Sequence, residues 1–415
     1  MSVAFKPLAP GASLGVLGGG QLGRMWVHAA QSMGFQTVVL DPDPHSPAGL
    51  VSHQHIQTEY LDPVGLEKMA TTCQAVTTEF ENVPADALAQ LATTMQVAPN
   101  AHAVAVAQDR RLEKSHFVNC GVPVAPFAVI ASDADVEAVL KRSDGASLLP
   151  GILKTARMGY DGKGQVRVRH PQELVDAFKQ LGDVPCVLEK MLPLKAEYSV
   201  IVARGHDGAM VHLPIQHNVH RGGILAMTQV WAGVCDSALE TQAINAAKSI
   251  AQELQYTGVL CVEFFVLEDN ALVVNEIAPR PHNSGHYSLD ACDVSQFELQ
   301  LRCMAGLPLI QPRLHSSAVM LNLLGDIWLE KSGKLVGKLG SEPNLFGVNK
   351  LGSDPNFSPN FPEVLALPGT HLHLYGKGEA RRGRKMGHLT VTASTPDQAH
   401  AIANQAATIL GIAAF

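Results

Sequence analysis

The stretch from Gly258 to Gly285 constrains the fold most strongly, because two apolar segments in it meet at a polar tip, Glu268–Asn270. Apolar segments around a short polar tip predict a β-hairpin. If the turn is centred between the last two residues of that tip, Glu263 and Glu276 are equidistant from it. They would then lie directly opposite each other on one face of the sheet.

Like charges that face each other on a sheet repel, and these two carboxylates would be about 5 Å apart among apolar neighbours. A divalent cation would turn this cost into a binding site. Mg²⁺ fits best, because it takes carboxylate oxygens together with substrate phosphates. In the alternative interpretation, one glutamate points into solvent or pairs with Arg280. The hairpin alone leaves both interpretations open.

The composition predicts a globular protein whose main partner is neither nucleic acid nor a membrane. Of its 415 residues, 46% are hydrophobic and 17% are charged, which is ordinary for a chain of two or three domains. The formal net charge of -7 disfavours a polyanionic partner. An anionic substrate can still bind in a local basic pocket.

The cysteines and the apolar runs predict a soluble, cytoplasmic protein. Seven cysteines are an odd number and include no Cys-x-x-Cys pair, which favours free thiols in a reducing compartment. The N-terminus has no apolar run of signal-peptide length, and no stretch approaches 18 consecutive apolar residues.

A glycine-rich motif, Gly18-x-Gly20-x-x-Gly23, follows a short strand and precedes a helix. With Asp41 at the end of the next strand, it matches the dinucleotide-binding fingerprint and suggests a nicotinamide-dependent oxidoreductase. Glycines at a helix start let backbone N–H groups approach any anion, so the motif alone is weak evidence for NAD.

Two further segments place charged groups at the ends of predicted strands. Residues 75–84 read as a strand ending in acids, where an open α/β sheet presents ligand-binding groups. Glu81 in this segment could equally be a carboxylate at a helix N-terminus. A buried strand at 151–156 carries Lys154, and a glycine-rich loop with two basic residues follows at 157–165. Such a loop is either a flexible lid over phosphates or an ordinary surface hairpin loop.

The rest of the chain gives three weaker predictions. Residues 100–119 are expected to be helical, with a domain boundary just before Asp109. Residues 341–362 are rich in Pro, Asn, Ser and Gly, which predicts a long surface loop. Residues 376–391 hold the densest basic cluster of this acidic chain, and its charge pattern alone indicates a solvated hairpin turn.

Four motifs together resemble those of the N5-carboxyaminoimidazole ribonucleotide synthases, a family of the ATP-grasp superfamily. They are Gly-Gly-Gly-Gln-Leu-Gly at 18–23, Gly-Tyr-Asp-Gly-Lys-Gly at 159–164, Asn-Glu-x-Ala-Pro-Arg-x-His-Asn-Ser-Gly-His at 275–286 and Gly-Arg-Lys-x-Gly-His at 383–388. The resemblance extends from about Leu14 to Val391, with the motifs in the family's order. It gives the basic cluster a role, as a source of cations for the substrate phosphate.

The resemblance implies a chain of α/β and α+β class with the ATP-grasp fold. A Rossmann-like pre-ATP-grasp domain would span residues 1–108, an ATP-grasp domain 109–310, and a small β-rich C-terminal domain 311–415. The first domain would bind the acceptor substrate where a dehydrogenase binds NAD.

The resemblance also implies a role for each residue that matches a family motif. ATP would be held by Arg110, Lys154, Gly159, Tyr160, Asp161, Gly162, Lys163, Gly164, Gln165, Glu189, Lys190, Met191, Leu192, Glu197, His220, Asn275 and Glu276. Mg²⁺ would be held by Glu263 and Glu276. The ribonucleotide would be held by Gln21, Leu22, Glu81, Asn283, Lys377, Arg384 and Lys385. Arg280, Tyr160 and Lys377 would act in catalysis, the first two beside the carboxyphosphate.

The implied reaction is the ATP-dependent carboxylation of 5-aminoimidazole ribonucleotide with bicarbonate, through carboxyphosphate, in purine biosynthesis. ATP and Mg²⁺ would be the cofactors, and the family's tendency to dimerise predicts a homodimer. Two alternatives remain. A sister ATP-grasp ligase, such as the formate-dependent glycinamide ribonucleotide transformylase, would share the cleft. A nicotinamide-dependent oxidoreductase would explain only Gly18–Asp41 and would leave the paired glutamates without a purpose.

Overall fold

The computed structural model describes residues 5–141, 148–159, 164–329 and 359–413, and a five-stranded parallel sheet forms its N-terminal part. Its elements are β1 (Ser13–Leu17), α1 (Gln21–Ser32), β2 (Gln36–Leu40), β3 (Gln54–Ile56), α2 (Pro63–Thr72), β4 (Ala75–Thr78), α3 (Ala85–Leu91) and β5 (Gln96–Val97). The strand order β3-β2-β1-β4-β5 reverses at β1. In open parallel sheets, ligands bind at the carboxyl end of the strands at such a point.

Two helices, α4 (Ala101–Gln108) and α5 (Arg110–Asn119), follow this sheet. The prediction of one continuous helix is wrong at Asp109, whose backbone is extended. Its side chain accepts a hydrogen bond from the Arg111 backbone N at 3.1 Å and so caps α5. Aspartate competes for backbone N–H groups at a helix start, which explains the break.

A four-stranded antiparallel sheet comes next, with two helices beside it. It consists of β6 (Phe127–Ile130), α6 (Asp133–Lys141), β7 (Gly151–Thr155), β8 (Gln165–Val168), α7 (Pro171–Gln180) and β9 (Cys186–Lys190). The strand order is β6-β9-β7-β8. Buried side chains from strands and helices, among them Ile130, Leu153, Leu174 and Phe178, form one core.

The largest sheet has nine strands within the described part of the chain. Its elements are β10 (Leu194–Arg204), β11 (Met210–His212), β12 (Gln216–Arg221), β13 (Ile224–Val230), α8 (Ser237–Glu253), β14 (Gly258–Leu267), β15 (Leu272–Ala278), α9 (Ser288–Ala291), α10 (Gln296–Ala305), β16 (Ser317–Leu324), α11 (Asp326–Leu329), α12 (Phe361–Leu365), β17 (Thr370–Leu374), β18 (Lys385–Ala393) and α13 (Pro396–Leu410). Eight strands follow the order β15-β14-β10-β12-β13-β16-β18-β17, and β11 pairs with β10.

This sheet joins the central region to the C-terminal region. β16 pairs with β13 on one side and with β18 on the other. The basic cluster at 376–391 runs into β18, so its last part belongs to the sheet that contains the glutamate hairpin. The N-terminal sheet also packs on the central region, because Trp26 and Met25 of α1 share a core with Phe297 and Leu301 of α10.

The predicted loop at 341–362 falls largely outside the described residues, which resume at Pro359. At its end the prediction is wrong, because Phe361 and Pro362 already belong to α12. Proline suits the first turn of a helix, where its missing N–H has no intrahelical partner to lose. Among the described residues, no helix has the length and apolar character needed to cross a bilayer.

Candidate active site

The β14–β15 hairpin is confirmed, and the ladder pairs Glu263 with Glu276 as predicted. The register shifts between this pair and the next one, Phe264 with Val274, which leaves Asn275 without a partner in the ladder. Asn275 is therefore a bulge residue, and a bulge re-aims the side chains next to it. The turn is centred half a residue earlier than predicted, and the bulge restores the expected pairing.

Each of the two opposed carboxylates contacts a different basic side chain. His282 Nε2 lies 3.0 Å from Glu263 Oε1, and Arg110 NH2 lies 3.2 Å from Glu276 Oε2. Burial alone would raise the pKa of Glu263, but His282, with His220 and Lys385 farther off, lowers it to about 2. Glu263 is therefore ionised at neutral pH.

These residues fit a hard divalent cation. Glu263 and Glu276 supply ionised or solvent-facing carboxylates, and the Asn275 side-chain oxygen Oδ1 is buried without a hydrogen-bond partner. Carboxylate and amide oxygens are the donors that Mg²⁺ accepts, and a buried oxygen without a partner is rare unless a ligand or water completes it.

Helix α5 presents a second set of charges to β15. Glu113 Oε1 accepts a hydrogen bond from the Ile277 backbone N at 2.7 Å, and Lys114 Nζ donates to the Asn275 backbone O at 3.0 Å. Burial raises the pKa of Glu113 to about 7, against the opposing effect of Arg110.

Glu189 at the end of β9 is the centre of a buried charge cluster. Its carboxylate lies 3.0 Å from Lys114 Nζ, 3.1 Å from Lys154 Nζ and 3.8 Å from Arg110 NH1. Burial opposes ionisation, but the three cations lower the pKa of Glu189 to about 2. Burial lowers the pKa of Lys154, whereas Glu189 counteracts this effect. The partner that a lysine on a buried strand requires is thus Glu189.

The glycine-rich loop after Lys154 joins two antiparallel strands, β7 and β8, as expected. Gly159, Gly164 and Gln165 are described, and Gly164 has a positive φ of 68°. Tyr160, Asp161, Gly162 and Lys163 lie outside the described residues, so the predicted roles of these four residues are not placed by the structure.

Two more predicted nucleotide ligands form a pair. His220 Nδ1 on β12 lies 2.8 Å from Glu197 Oε2 on β10, and this contact raises the pKa of His220 although burial opposes it. The predicted connector begins at Lys190, the last residue of β9, continues with Met191 and Leu192, and is half-buried throughout.

The glycine motif of the N-terminal sheet binds the protein's own carboxylates. Gly20 N and Gly23 N donate to the two oxygens of Glu79 at 2.9 and 3.1 Å, and Gly19 N donates to Asp41 Oδ2 at 2.7 Å. A Cβ atom on Gly20 would lie 2.6 Å from Glu79 Oε1, so glycine is needed for this close approach. The N–H groups that would hold an NAD pyrophosphate are therefore occupied.

Two of the predicted ribonucleotide residues, Gln21 and Leu22, lie within this motif, whereas Asn283 follows β15. Gln21 is half-buried in the first turn of α1, whereas the side chain of Leu22 belongs to the hydrophobic core, so only its backbone can face a ligand. Asn283 is buried, and neither its Nδ2 nor its Oδ1 has a hydrogen-bond partner. An amide with two unpaired polar atoms in a site is poised for a ligand.

Arg280 forms an ion pair with Glu81, not with either hairpin glutamate, which excludes that alternative for Arg280. Burial by itself would raise the pKa of Glu81 and lower the pKa of Arg280, and so would favour the neutral form of each group. Nevertheless, Arg280 lowers the pKa of Glu81, and Glu81 raises the pKa of Arg280. Glu81 does not cap α3, whose N-terminus has no side-chain cap, and its carboxylate is turned toward Arg280.

The basic cluster is not a simple solvated turn. Lys377 Nζ donates to the Lys385 backbone O at 2.8 Å, and Arg384 NH1 donates to the Glu379 backbone O at 2.7 Å. Burial, followed by the charge of Arg384, lowers the pKa of Lys377 to about 8. Lys385 acts electrostatically on Glu263, so the cluster reaches the glutamate hairpin.

Four residues that contact the candidate site were not predicted from the sequence, namely Glu79, Glu113, Lys114 and His282. Charged residues on a helix, such as Glu113 and Lys114, are normally solvated, and nothing in their spacing indicated burial. Glu79 has a sequence signal, since it directly follows the strand β4 and lies two residues before Glu81. His282 lies within the motif at 275–286, but nothing in the motif indicates its contact with Glu263.

Three family models match consecutive parts of the chain. They are described as the ribonucleotide synthetase preATP-grasp domain at residues 12–108, the ATP-grasp domain at 115–297, and the phosphoribosylaminoimidazole carboxylase C-terminal domain at 318–402. Together they confirm the predicted fold class, with its Rossmann-like, ATP-grasp and C-terminal parts.

Relatives match over nearly the whole chain. The N5-carboxyaminoimidazole ribonucleotide synthase of Brucella melitensis is 40% identical over 92% of this chain and 97% of its own length. The Staphylococcus aureus synthetase complexed with ADP is 36% identical, with a TM-score of 0.83 over 97% of this chain and 98% of that one. The Aspergillus clavatus enzyme, in complex with ADP and 5-aminoimidazole ribonucleotide, is 29% identical, with a TM-score of 0.82 over 97% of this chain and 99% of that one.

Proposed function

This chain belongs to the family of N5-carboxyaminoimidazole ribonucleotide synthases, and we propose how its side chains divide the work of the reaction among themselves. The protein is an ATP-dependent carbon–nitrogen ligase of purine biosynthesis. It carboxylates 5-aminoimidazole ribonucleotide with bicarbonate and converts ATP to ADP and phosphate. The assignment of roles rests on the pairing of Glu263 with Glu276 near the three cations that contact Glu189.

The nucleotide lies along β9 and the hairpin. Lys154 and Arg110 face the phosphates, because both cations converge on Glu189 and a nucleotide supplies further negative charge for them. Glu197 and His220 form the ribose end, and Lys190, Met191 and Leu192 cover the base. The loop Gly159–Gln165 is assigned to the phosphates because it matches the family's glycine-rich motif. The ADP complexes of the relatives support this assignment.

Glu263, Glu276 and Asn275 would hold Mg²⁺, a metal that suits their carboxylate and amide oxygens. When bound, it neutralises the charge that develops on the transferred phosphoryl group. Arg110 keeps the Glu276 carboxylate in place from the opposite side, at 3.2 Å. The remaining task of this part of the chain is positioning, because phosphoryl transfer depends chiefly on alignment and electrostatic stabilisation.

The ribonucleotide binds at the carboxyl end of the N-terminal sheet. Its phosphate meets Lys377, Arg384 and Lys385, and its remaining polar groups meet Gln21, the Leu22 backbone and the unpaired amide of Asn283. Glu81 contacts the same molecule through its carboxylate. The complex of the Aspergillus clavatus relative with ADP and 5-aminoimidazole ribonucleotide supports a shared cleft for both molecules.

Arg280 joins the two half-reactions. In the first, a bicarbonate oxygen attacks the γ-phosphorus, and the bond between this phosphorus and the β-phosphate oxygen breaks to give carboxyphosphate and ADP. In the second, the amine nitrogen of the ribonucleotide attacks the carboxyphosphate carbon, phosphate leaves with its oxygen, and the nitrogen loses a proton. Because Arg280 is paired with Glu81, a carboxyphosphate on the arginine lies next to a ribonucleotide on the glutamate. Tyr160, which belongs to the family's glycine-rich motif, is assigned to the same carboxyphosphate.

With this division of roles we place the domain boundaries at 108/109 and 310/311. We also propose that the protein is a homodimer and that it acts in the cytoplasm. Nucleic acid is not a partner of this acidic chain, whose net charge is -7. Bicarbonate, ATP and 5-aminoimidazole ribonucleotide are its small-molecule partners.

Phosphate release from ATP with Mg²⁺ tests the function most directly. Release that requires both bicarbonate and 5-aminoimidazole ribonucleotide is the expected result. Release that instead requires formate and glycinamide ribonucleotide would move the chain to the sister ligase. Replacement of bicarbonate by formate in an otherwise identical assay is the control that separates the two reactions.

A further inference from the structure

Lys114 is a buried cation whose ion pair and hydrogen bond are both made with groups of the protein. Its side chain on α5 has no solvent exposure. Its Nζ lies 3.0 Å from Glu189 Oε2 and donates to the Asn275 backbone O at 3.0 Å. Both contacts are to protein groups, so the ammonium does not need a substrate to be satisfied.

The two partners of Lys114 belong to different parts of the cleft. Glu189 is near the end of β9, directly before the connector that we assign to the nucleotide base. Asn275 is the bulge residue of β15, between the two positions whose pairing shifts register. The Asn275 carbonyl group has no regular ladder position, and Lys114 holds it. One side chain therefore ties the base-binding strand to the metal-binding hairpin.

Neighbouring residues of α5 contact the same piece of β15. Lys114 contacts Asn275, Arg110 contacts Glu276, and Glu113 accepts from the Ile277 backbone N. Three residues within a five-residue stretch of α5 thus contact three consecutive residues of the strand. The bulge sets the direction of the Glu276 carboxylate, and a bulge is held only as firmly as its unpaired backbone groups.

We propose that Lys114 is a positioning residue that couples nucleotide binding to metal binding, an inference that rests on the proposed function. It holds the bulge so that Glu276 and Asn275 face the phosphates, and it shares Glu189 with Lys154 and Arg110. Without Lys114, the Glu189 carboxylate pairs more strongly with Lys154 and Arg110. These two cations are then less available to bind the phosphates. The bulge carbonyl group also loses its donor.

The test measures the affinity for ADP with and without Mn²⁺ by calorimetry in Lys114→Met, which keeps most of the side-chain volume and removes the charge. The affinity for ADP in the presence of Mn²⁺ is expected to fall about tenfold or more, the usual effect of removing a group that orients metal ligands. The affinity for 5-aminoimidazole ribonucleotide is expected to stay unchanged, since its residues lie on other elements. Lys114→Arg keeps the charge and restores at least part of the ADP affinity.

A control separates positioning from general destabilisation. Ile250→Ala removes a fully buried side chain of α8 from the core that also contains Phe117 of α5, and it touches neither Glu189 nor Asn275. Its free energy of unfolding in urea is compared with that of Lys114→Met. Lys114→Gln takes the place of the methionine variant, with the same readouts, if that variant does not fold.

Unchanged ADP affinity of the Lys114 variant in the presence of Mn²⁺ would overturn the proposal. So would an equal loss of affinity in Ile250→Ala at matched stability. Failure of the proposed function looks different, because wild-type protein would then release no phosphate with bicarbonate and 5-aminoimidazole ribonucleotide, while ADP affinity would still report on Lys114.

Discussion

Glu263 and Glu276 are opposite each other in the β14–β15 ladder, yet His282 contacts the first carboxylate and Arg110 the second. The two negative charges are therefore held close together without a direct hydrogen bond between them. This arrangement keeps two sets of carboxylate oxygens available to a metal while each glutamate remains anchored.

Glu276→Gln should abolish most metal-dependent activity, because it removes one anionic ligand and keeps the size of the side chain. We expect the rate of phosphate release to fall about 100-fold or more. Calorimetry should show that Mn²⁺ no longer tightens ADP binding. Glu137→Gln, which changes an exposed glutamate of α6, is the matched control and should behave like wild type. Normal Mn²⁺ dependence in Glu276→Gln would contradict the metal assignment.

The lowered pKa of Lys377 predicts that the protein loses affinity for the ribonucleotide at alkaline pH. Burial lowers its pKa to about 8, so the unliganded protein loses this positive charge as the pH rises through that value. Because kcat/KM reports on the free enzyme, kcat/KM for the ribonucleotide should fall above about pH 8. In Lys377→Arg the fall should move to higher pH, since arginine stays protonated. An identical alkaline limb in both proteins would rule out Lys377 as its source.

Glu113 should matter to stability through its hydrogen bond and less through its charge. Its carboxylate accepts from the Ile277 backbone N at 2.7 Å, and Glu113→Gln retains an acceptor. Glu113→Ala leaves a buried N–H without a partner and should lower the free energy of unfolding by about 1 to 3 kcal/mol. Urea unfolding of the two variants measures the difference. Equal losses in both would show that the hydrogen bond is not what Glu113 contributes.

The same residue gives stability a definite pH dependence. The folded-state pKa of about 7 lies above the ordinary value of 4.5, so the Glu113 contribution is fully present below pH 4.5 and is lost as the pH rises through 7. Between these two pH values, the free energy of unfolding in urea should therefore change less with pH for Glu113→Gln than for wild type. An identical pH dependence would contradict the raised pKa.

The parts of this molecule that could be predicted from the sequence are those where neighbouring residues determine the outcome. The pairing of Glu263 with Glu276 follows from symmetry about a short turn, and the antiparallel strands on either side of the glycine-rich loop follow from the flanking apolar runs. The fold class followed from motif order. Long-range partners could not be predicted, such as Lys114 with Glu189 or Glu79 with Gly20, because they join residues separated by about 60 positions or more.

The dinucleotide fingerprint shows why a local pattern can mislead. Its glycines are needed, but for the approach of Glu79 and Asp41 and not for a pyrophosphate. We therefore predict that NADH does not bind, because the side-chain oxygens of Glu79 and Asp41 already accept from the N–H groups that a pyrophosphate would need. Thermal unfolding checks this prediction, with ATP and Mg²⁺ as the positive control. A rise in Tm with NADH that disappears in Asp41→Ala would contradict it.

Arg280 gives the sharpest test of the catalytic assignment, because its partner Glu81 is placed in a different role. Arg280→Ala should lower kcat about 100- to 1000-fold, since a buried cation that meets carboxyphosphate acts mainly in the transition state. Glu81→Gln should instead raise KM for the ribonucleotide. The double variant should lose less than the sum of the two effects, because the residues contact each other. Arg313→Ala, at an exposed arginine paired with Asp293, is the control. Near-normal turnover in Arg280→Ala would show that this arginine does not act on the carboxyphosphate.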